Sequence, residues 1–561
     1  MPTGAEILIE CLRRADVRLV FAYPGGTSLL IHQALVGSGI RVVLPRHEQG
    51  AAFEAAGFAR RTGRAGVCIA TSGPGATNLL TGIADAWMDS TPLVAITAQV
   101  NQNIIGKNAF QETDIIGMTR PIVKHSYLVF SADEIPETIM DAFALAASGR
   151  PGPVIVDIPC DVLASAAEPV YPTEPNLRAL CLPPEIRDSQ IRAFLKALSS
   201  SRRPCIYAGG GVIHSGASDE LLKFAERWRI PVATSLMGIG AFPSGHPLSL
   251  SWLGMHGAYG ANKAVAECDL LIGMGVRFSE RVTGNVDGFA PHAKIVHIDI
   301  DDSEINKNKH ADIALVGDLK ETLQRVLAHR PRIRGRDEWL AQVREWNSQH
   351  KFEIPKSVDS RLHGQAVVKA LDKLTHGRAT VVTGVGQNQM WAAQFYSYSR
   401  PRQFITSGGL GAMGFGLPAA IGAQMAEPEE LVLLIDGDGS FQMNIQELAT
   451  LYAEQLPVKM VVLNNQRLGM VAQLEDRFCN GVHGNTDLEV PAAHGPYPDF
   501  VKIAEGYKIQ GANVSSRAEL EAAIRRMLRA KGPFLLNCLI DRDDEAMPMI
   551  PPGKNCGDEL F

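Results

Sequence analysis

Three α/β units, each built on a parallel sheet, are what this chain predicts, and three observations predict them. Short apolar, β-branched runs alternate with amphipathic stretches in three blocks of the 561 residues. Proline-rich or polar stretches separate the blocks. Glycines and polar residues gather where the apolar runs end, which is where open α/β sheets bind ligands. The length exceeds what one core can serve and suggests three or four domains.

In the first block, from about 19 to 158, strands are expected at 18–22, 41–44, 65–70, 92–96 and 154–158. Turn signals stand between them at Pro24-Gly-Gly, Ser72-Gly-Pro-Gly and Gly149-Arg-Pro-Gly-Pro. Residues 161–189 are proline-rich with weak periodicity and read as a linker. The second block, about 202–330, contains Pro204-Cys-Ile-Tyr-Ala-Gly-Gly-Gly, Asp269-Leu-Leu-Ile-Gly-Met-Gly and Lys294-Ile-Val-His-Ile-Asp-Ile-Asp. A polar connector follows at 331–360, helical around 339–346, and then the third block at 361–541. The tail, with Ala546-Met-Pro-Met-Ile-Pro-Pro-Gly, holds too many prolines for a helix. The expected domains are therefore 1–165, 190–335 and 361–541, with a tail at 542–561.

Composition narrows the class. Hydrophobic content of 46% and charged content of 20% belong to soluble globular proteins. A net charge of −6, without basic clusters interleaved with aromatics, argues against a nucleic-acid partner. Nine cysteines without a C-x-x-C pair suggest neither a zinc ribbon nor a disulfide scaffold. They read as reduced thiols, and with no secretory pattern at the N-terminus the expected setting is cytoplasmic. Residues 403–426 carry no charge, but six glycines and a proline make them a cofactor loop and a short buried helix rather than a membrane span.

The strongest motif lies in the third block. Gly437-Asp438-Gly439 follows the apolar run 431–435, and 24 residues later a second β-branched run ends in Asn464-Asn465. A strand, a helix and a parallel strand would bring Asp438 and Asn465 side by side at one sheet edge. Magnesium takes about six oxygens, commonly one or two carboxylates plus phosphate oxygens. Asp438 would give a carboxylate, Asn465 an amide oxygen and Arg467 its backbone carbonyl. Gly437 and Gly439, followed by Ser440, let the main chain approach a diphosphate.

In the first block, Glu48 sits between a strand and an apparent helix, flanked by His47 and Gln49. A helix N-terminal acid that answers the helix dipole is the ordinary reading. A carboxyl group placed to exchange a proton with a bound heterocycle is the functional one.

Together these elements resemble the thiamine diphosphate enzymes, which implies three doubly wound parallel-sheet domains of that type. The resemblance implies that 1–165 binds the pyrimidine, that 361–541 binds diphosphate and Mg2+, and that active sites lie between chains of at least a homodimer, or of a tetramer. It makes Glu48 the residue that activates the cofactor. Gly408-Gly-Leu-Gly-Ala-Met-Gly matches the loop that bends it, with Met413 as the prop and Gly411 facing the amino group, and Met470 lies nearby.

Tyr23-Pro-Gly-Gly, Arg46-His-Glu-Gln-Gly-Ala, Thr71-Ser-Gly-Pro-Gly-Ala-Thr-Asn, Ala109-Phe-Gln-Glu-Thr-Asp and Thr406-Ser-Gly-Gly-Leu-Gly narrow the resemblance to the catalytic large subunit of the acetohydroxyacid (acetolactate) synthases. Leu253-Gly-Met-His-Gly and Gly275-Val-Arg-Phe-Ser-Glu-Arg-Val-Thr-Gly resemble their flavin segments. By that resemblance FAD meets Arg150, Gly209, Gly210, Gly211, Leu236, Met237, Met255, His256, Gly257, Arg277 and Asp299 in the central domain. The implied reaction decarboxylates pyruvate and joins the fragment to a second 2-ketoacid. The products are 2-acetolactate or 2-aceto-2-hydroxybutyrate, in branched-chain amino-acid biosynthesis. Phe110 and Gln111 resemble active-site residues, Lys124 a substrate-channel lysine, and Arg281 the anchor of the acceptor carboxylate. The resemblance leaves open a regulatory small subunit.

Five positions depart from the family pattern. Leu474 replaces a tryptophan, Asn101 a proline, Thr27 an alanine, and Lys107-Asn108 a Thr-Asp pair. A remodelled channel is expected, with weaker preference for 2-ketobutyrate and tolerance to sulfonylurea and imidazolinone herbicides. Two alternatives remain: another enzyme on the same scaffold, such as a pyruvate oxidase or a carboligase or decarboxylase with a different 2-ketoacid, and a non-catalytic paralogue.

Overall fold

The computed structural model describes residues 1–176, 185–330, 333, 335–356, 361–490 and 497–561. Parts of both expected connectors fall outside these. Among the described residues the strands form three six-stranded sheets, parallel throughout. The first contains β1 (Leu19–Ala22), β2 (Arg41–Val43), β3 (Gly66–Ala70), β4 (Leu93–Gln99), β5 (His125–Leu128) and β6 (Pro153–Pro159). The second contains β7 (Pro204–Ala208), β8 (Val232–Thr234), β9 (Ser249–Trp252), β10 (Leu270–Met274), β11 (Lys294–Asp299) and β12 (Ile313–Val316). The third contains β13 (Thr380–Thr383), β14 (Phe404–Ile405), β15 (Val432–Gly437), β16 (Lys459–Asn464), β17 (Gln510–Val514) and β18 (Phe534–Leu539).

The strands read as unbroken apolar runs because helices cover both faces of each sheet. In β1, Val20 and Ala22 join one core and Phe21 the other. In β15, Leu433 and Ile435 divide in the same way from Val432 and Leu434. The sheets are doubly wound.

The strand orders are informative. The first sheet runs β2-β1-β3-β4-β6-β5, and the third repeats that plan as β14-β13-β15-β16-β18-β17. The middle sheet differs: from its β9 edge it runs β9-β8-β7-β10-β11-β12. That is the 3-2-1-4-5-6 order of dinucleotide-binding sheets, with its switch point between β7 and β10.

Two helices lock the outer units together. The helix Glu48–Thr62 crosses the helix Gly416–Ala426 at backbone contact. A Cβ on Gly57 would lie 2.2 Å from the Ala419 carbonyl oxygen, and one on Gly422 would lie 1.9 Å from that of Glu54. Phe53 and Ala56 of the first helix belong to a core of the third unit. The uncharged run 403–426 is thus apolar because a neighbouring domain covers it. Among the described residues no helix is long and apolar enough to cross a membrane.

The Glu48 helix begins at Glu48 itself, with His47 as its N-cap. After Gly-Asp-Gly the chain forms a short helix, Asp438–Gln442, then a 3-10 turn and the helix Leu448–Ala453. The tail is non-helical, and Phe561 stacks on His350 at 4.2 Å between ring centroids.

Candidate functional site

The carboxyl ends of the second and third sheets open on one cavity of about 1020 Å³. At the end formed by the third sheet, β15 and β16 pair in register, Gly437 with Leu463, so Asp438 and Asn465 leave adjacent strands side by side. Asp438 is buried, and its Oδ2 has no hydrogen-bond partner among the described residues. Burial pushes its carboxyl up to about 7. A buried carboxylate oxygen without a donor is costly, and a cation would satisfy it. Asn465 accepts from the Arg467 backbone N–H at 3.1 Å through Oδ1. The Arg467 guanidinium is held by Asp487 at 3.3 Å, Asp476 at 3.6 Å and Asp543 at 3.8 Å. The backbone carbonyl is thus the group Arg467 could offer a metal. No cluster of three or more His, Cys, Asp or Glu occurs among the described residues. One carboxylate with amide and carbonyl oxygens is a donor set that suits magnesium bound to phosphate better than zinc.

The cradle is shaped by close backbone approach. A Cβ on Gly469 would sit 2.1 Å from Gln387 Oε1. Ser440 Oγ accepts from the Gly414 N–H at 3.1 Å and so fixes the glycine-rich loop. Gly411 has φ +69° and Met413 lines the cavity. This loop is also bolted to the first unit. Asp89 accepts from the Gly408 and Gly409 N–H groups at 2.9 and 2.7 Å, and Asp85 accepts from Ser407 Oγ at 2.5 Å. Arg60 bridges both aspartates. Burial raises the Asp85 carboxyl to about 6 although Arg60 opposes that. Sequence reasoning missed Asp85 and Asp89. Two acids one turn apart in the apolar helix Leu80–Met88 and at its C-cap were the available signal.

At the other end, Gly210, Gly211, Leu236, Met237, Met255, His256, Arg277, Asp299 and Arg150 line the cavity. Gly209 and Gly257 do not. The glycine run also has a packing role. A Cβ on Gly211 would lie 2.5 Å from Gly275 Cα, and one on Gly209 would lie 2.2 Å from the Gly275 oxygen. These two glycines let the turns after β7 and β10 touch, whereas a Cβ on Gly210 would come no nearer than 3.5 Å to Met237. Gly257 closes a tight turn on Leu253. Arg150 is bonded to Ser90 at 2.8 Å and to Glu304 at 2.7 Å. Burial lifts Asp299 to about 6 and lowers His256 to about 4, so that imidazole is neutral; its Nδ1 faces the Pro548 carbonyl at 3.3 Å.

Between the two ends lie Met470, Val471 and Leu474, which project from the helix Gly469–Phe478, and Arg281. Arg281 is exposed; its Nε is 3.6 Å from the equally exposed Glu280 carboxylate. So loose a pair leaves the guanidinium free to take a carboxylate.

Besides Gly209 and Gly257, four singled-out residues do not line this cavity: Glu48, Phe110, Gln111 and Lys124. Glu48 is 9% exposed; its Oε2 accepts from Asn78 Nδ2 at 2.9 Å, and its Oε1 faces a niche that a Cβ on Gly75 would fill. Phe110 is 88% exposed, and Gln111, at φ +59°, packs its backbone against Gly73. Lys124 is anchored within the first unit. Nζ donates to the Leu145 and Ser148 carbonyls at 2.5 and 2.6 Å, capping the end of the helix Ile135–Ala147. Burial brings its ammonium down to about 8. Of the departures from the family pattern, Leu474 lines the cavity; Thr27, Asn101, Lys107 and Asn108 do not. Thr27 Oγ1 is 2.8 Å from Thr71 Oγ1. The cavity is also lined by Gln387 and Asn388, from a segment the sequence did not mark.

Three family models match: the N-terminal TPP-binding domain of thiamine pyrophosphate enzymes over residues 2–118, the central domain over 191–326, and the C-terminal TPP-binding domain over 384–538. The chain is 51% identical over 559 residues to acetolactate synthase 1, chloroplastic, of Oryza sativa subsp. japonica, covering 98% of this chain and 86% of that one. It is 50% identical over 570 residues to acetolactate synthase, chloroplastic, of Arabidopsis thaliana, covering 99% and 84%. With acetolactate synthase 1, chloroplastic, of Nicotiana tabacum, it shares 49% identity over 559 residues, covering 98% and 83%. All three relatives are named chloroplastic, which contradicts the expectation of a cytoplasmic setting. Thiol number and the lack of a secretory pattern do not report on organelle.

Proposed function

We infer the reaction from one premise: the chain belongs to the acetolactate synthases of the thiamine pyrophosphate enzyme family. It is a transferase that uses thiamine diphosphate to condense pyruvate to 2-acetolactate. The single observation that carries this reading from the site is the pairing of a partnerless buried Asp438 oxygen with Asn465 at adjacent strand ends.

Bound thiamine diphosphate supplies the electron sink that decarboxylation and the following carbon–carbon bond formation require. The chain's residues do the rest. Asp438, Asn465 and the Arg467 carbonyl would hold Mg2+ against the diphosphate. Met413, held between the Ser440 anchor and the Asp89 bolt, would press on the cofactor from the glycine-rich loop. Glu48, with Oε2 fixed by Asn78, would exchange a proton through Oε1 with a ring nitrogen of the pyrimidine. Arg281 would take the acceptor carboxylate. FAD at the central domain is supported by the 3-2-1-4-5-6 strand order, by Gly210, Gly211 and Asp299 at the carboxyl ends of β7 and β11, and by Arg150 and Arg277 on the cavity wall. The condensation involves no net redox change, so FAD would serve as structure.

Glu48 does not line the cavity that holds Asp438, which supports a site completed by a second copy of the chain. Leu474 on the cavity wall supports a channel with weaker preference for 2-ketobutyrate. The test is product analysis with pyruvate while thiamine diphosphate, Mg2+ and FAD are omitted in turn. Acetolactate that disappears without any one of them is expected. Acetaldehyde or acetyl phosphate as the main product would overturn the assignment.

A further inference from the structure

Gln387 is the first residue of the helix Gln387–Phe395, set in place by Gly386 at φ +145°, and it is 5% exposed. Its Oε1 accepts from Asn465 Nδ2 at 3.3 Å. Its Nε2 donates to the Asp544 carbonyl at 2.6 Å and to Gln473 Oε1 at 3.2 Å. Gln473, 2% exposed, clamps Ala546 from both sides: Nε2 donates to its carbonyl at 3.1 Å and Oε1 accepts its N–H at 2.9 Å. Asp544 in turn accepts from the Gly364 N–H at 2.9 Å and lies 2.6 Å from His363 Nδ1. The chain of contacts runs unbroken from Asn465 at the sheet edge to the carboxyl-terminal tail.

We propose that Gln387 is a positioning residue that orients the Asn465 amide for Mg2+ and couples that ligand to docking of the tail at 544–546. The proposal rests on the metal reading above. An asparagine amide has two orientations, and only one presents oxygen to a cation. Gln387 selects it by accepting from Nδ2, while the Arg467 N–H, 3.1 Å from Oδ1, agrees with that choice. The orientation of Gln387 is fixed in turn, because Nε2 faces two oxygens, one of them the tail's own backbone. In a buried network each member's donor direction determines the next. The spot also excludes any side chain at Gly469, whose Cβ would lie 2.1 Å from Gln387 Oε1 and 2.6 Å from Asn465 Nδ2. When the tail leaves, Gln387 loses the acceptor that holds it, and Asn465 loses its bias.

The experiment titrates Mg2+ calorimetrically into the thiamine diphosphate-saturated protein and follows amide hydrogen exchange at 544–547. Gln387→Met should raise the Mg2+ Kd by about 10- to 100-fold, the usual effect of removing an outer-shell partner. It should also abolish the slowing of Ala546 exchange that Mg2+ causes in the wild type. Gln387 borders the cavity and Gln473 does not. Gln473→Met therefore reports coupling through Gln387 alone, and it should both raise the Kd and free the tail. A freed tail with wild-type Mg2+ affinity in either variant overturns the proposal. Asn465→Ala is the separate control: unchanged Mg2+ affinity there would refute the metal site itself, whereas its loss beside an unaffected Gln387→Met refutes only the coupling.

Discussion

Asp157 is a carboxyl group the reaction does not use, yet it carries a testable pH dependence. It lies on β6 beside Thr97 of β4 and is 1% exposed. Thr97 Oγ1 is 2.7 Å from Oδ1, and Gln99 Nε2 reaches Oδ2 at 3.0 Å while also donating to the Thr113 carbonyl at 2.9 Å. Through Gln99 it braces the loop that carries Phe110 and Gln111. Burial pushes its carboxyl up to about 7, against the pull of both hydrogen bonds. The unfolded chain would release that proton near pH 4. The folded state thus binds the proton more tightly, and this contribution is complete below about pH 4 and lost as pH rises toward 7. Asp157→Asn keeps the protonated pattern, with Nδ2 donating to Thr97 and Oδ1 accepting from Gln99. The wild type should match Asp157→Asn in thermal stability at low pH and fall behind it between pH 4 and 7, by on the order of a few kcal/mol of unfolding free energy. A constant Tm difference across that range would mean that Asp157 is ionised throughout.

The helix Gly469–Phe478 shows how one element serves two tasks. Met470, Val471 and Leu474 share the face that lines the cavity, while Gln473 points into the tail network. Leu474→Trp would enlarge the apolar wall of the acceptor channel, a change worth about 1–3 kcal/mol if the ring is well covered. Competition between pyruvate and 2-ketobutyrate should then shift toward 2-ketobutyrate, and sulfonylurea inhibition should strengthen. If neither moved, the channel reading would fail. This face was legible in the sequence, as was Gly-Asp-Gly with Asn-Asn, because spacing along a helix or between consecutive strands fixes which residues meet. The packing role of the glycine run 209–211 was not legible: its partner, Gly275, follows a strand far along the chain. Asp85, Asp89 and Gln387 were not legible at all. Asp89 bonds Gly408 across 319 positions, and no local periodicity encodes such a contact. The contacts of Lys124 were not legible either, because a long stem lets the ammonium fold back onto helix carbonyls that no spacing marks.

Across the whole molecule, one domain carries Glu48 and another carries Asp438, and within a single chain they do not face the same cavity. Phe110, on the loop beside Gln111, is 88% exposed. If two chains complete each site, complementary defects should rescue one another. Glu48→Gln removes the proton-exchanging carboxyl from one domain and leaves that chain's metal cradle intact. Asp438→Ala does the reverse. Each homodimer should be inactive, with losses of about 100-fold or more for the missing acid–base group. In a mixed dimer, one site would combine both defects and the other would be wild type. Random pairing on co-expression makes half the dimers mixed, with one intact site each, so about a quarter of wild-type activity should return. If Glu48 and Asp438 of the same chain worked together, every site in the mixture would carry one defect and no activity would return. The rate of acetolactate formation by the co-purified pair therefore decides between the two arrangements, and far-ultraviolet circular dichroism of each single variant guards against loss of folding as the explanation.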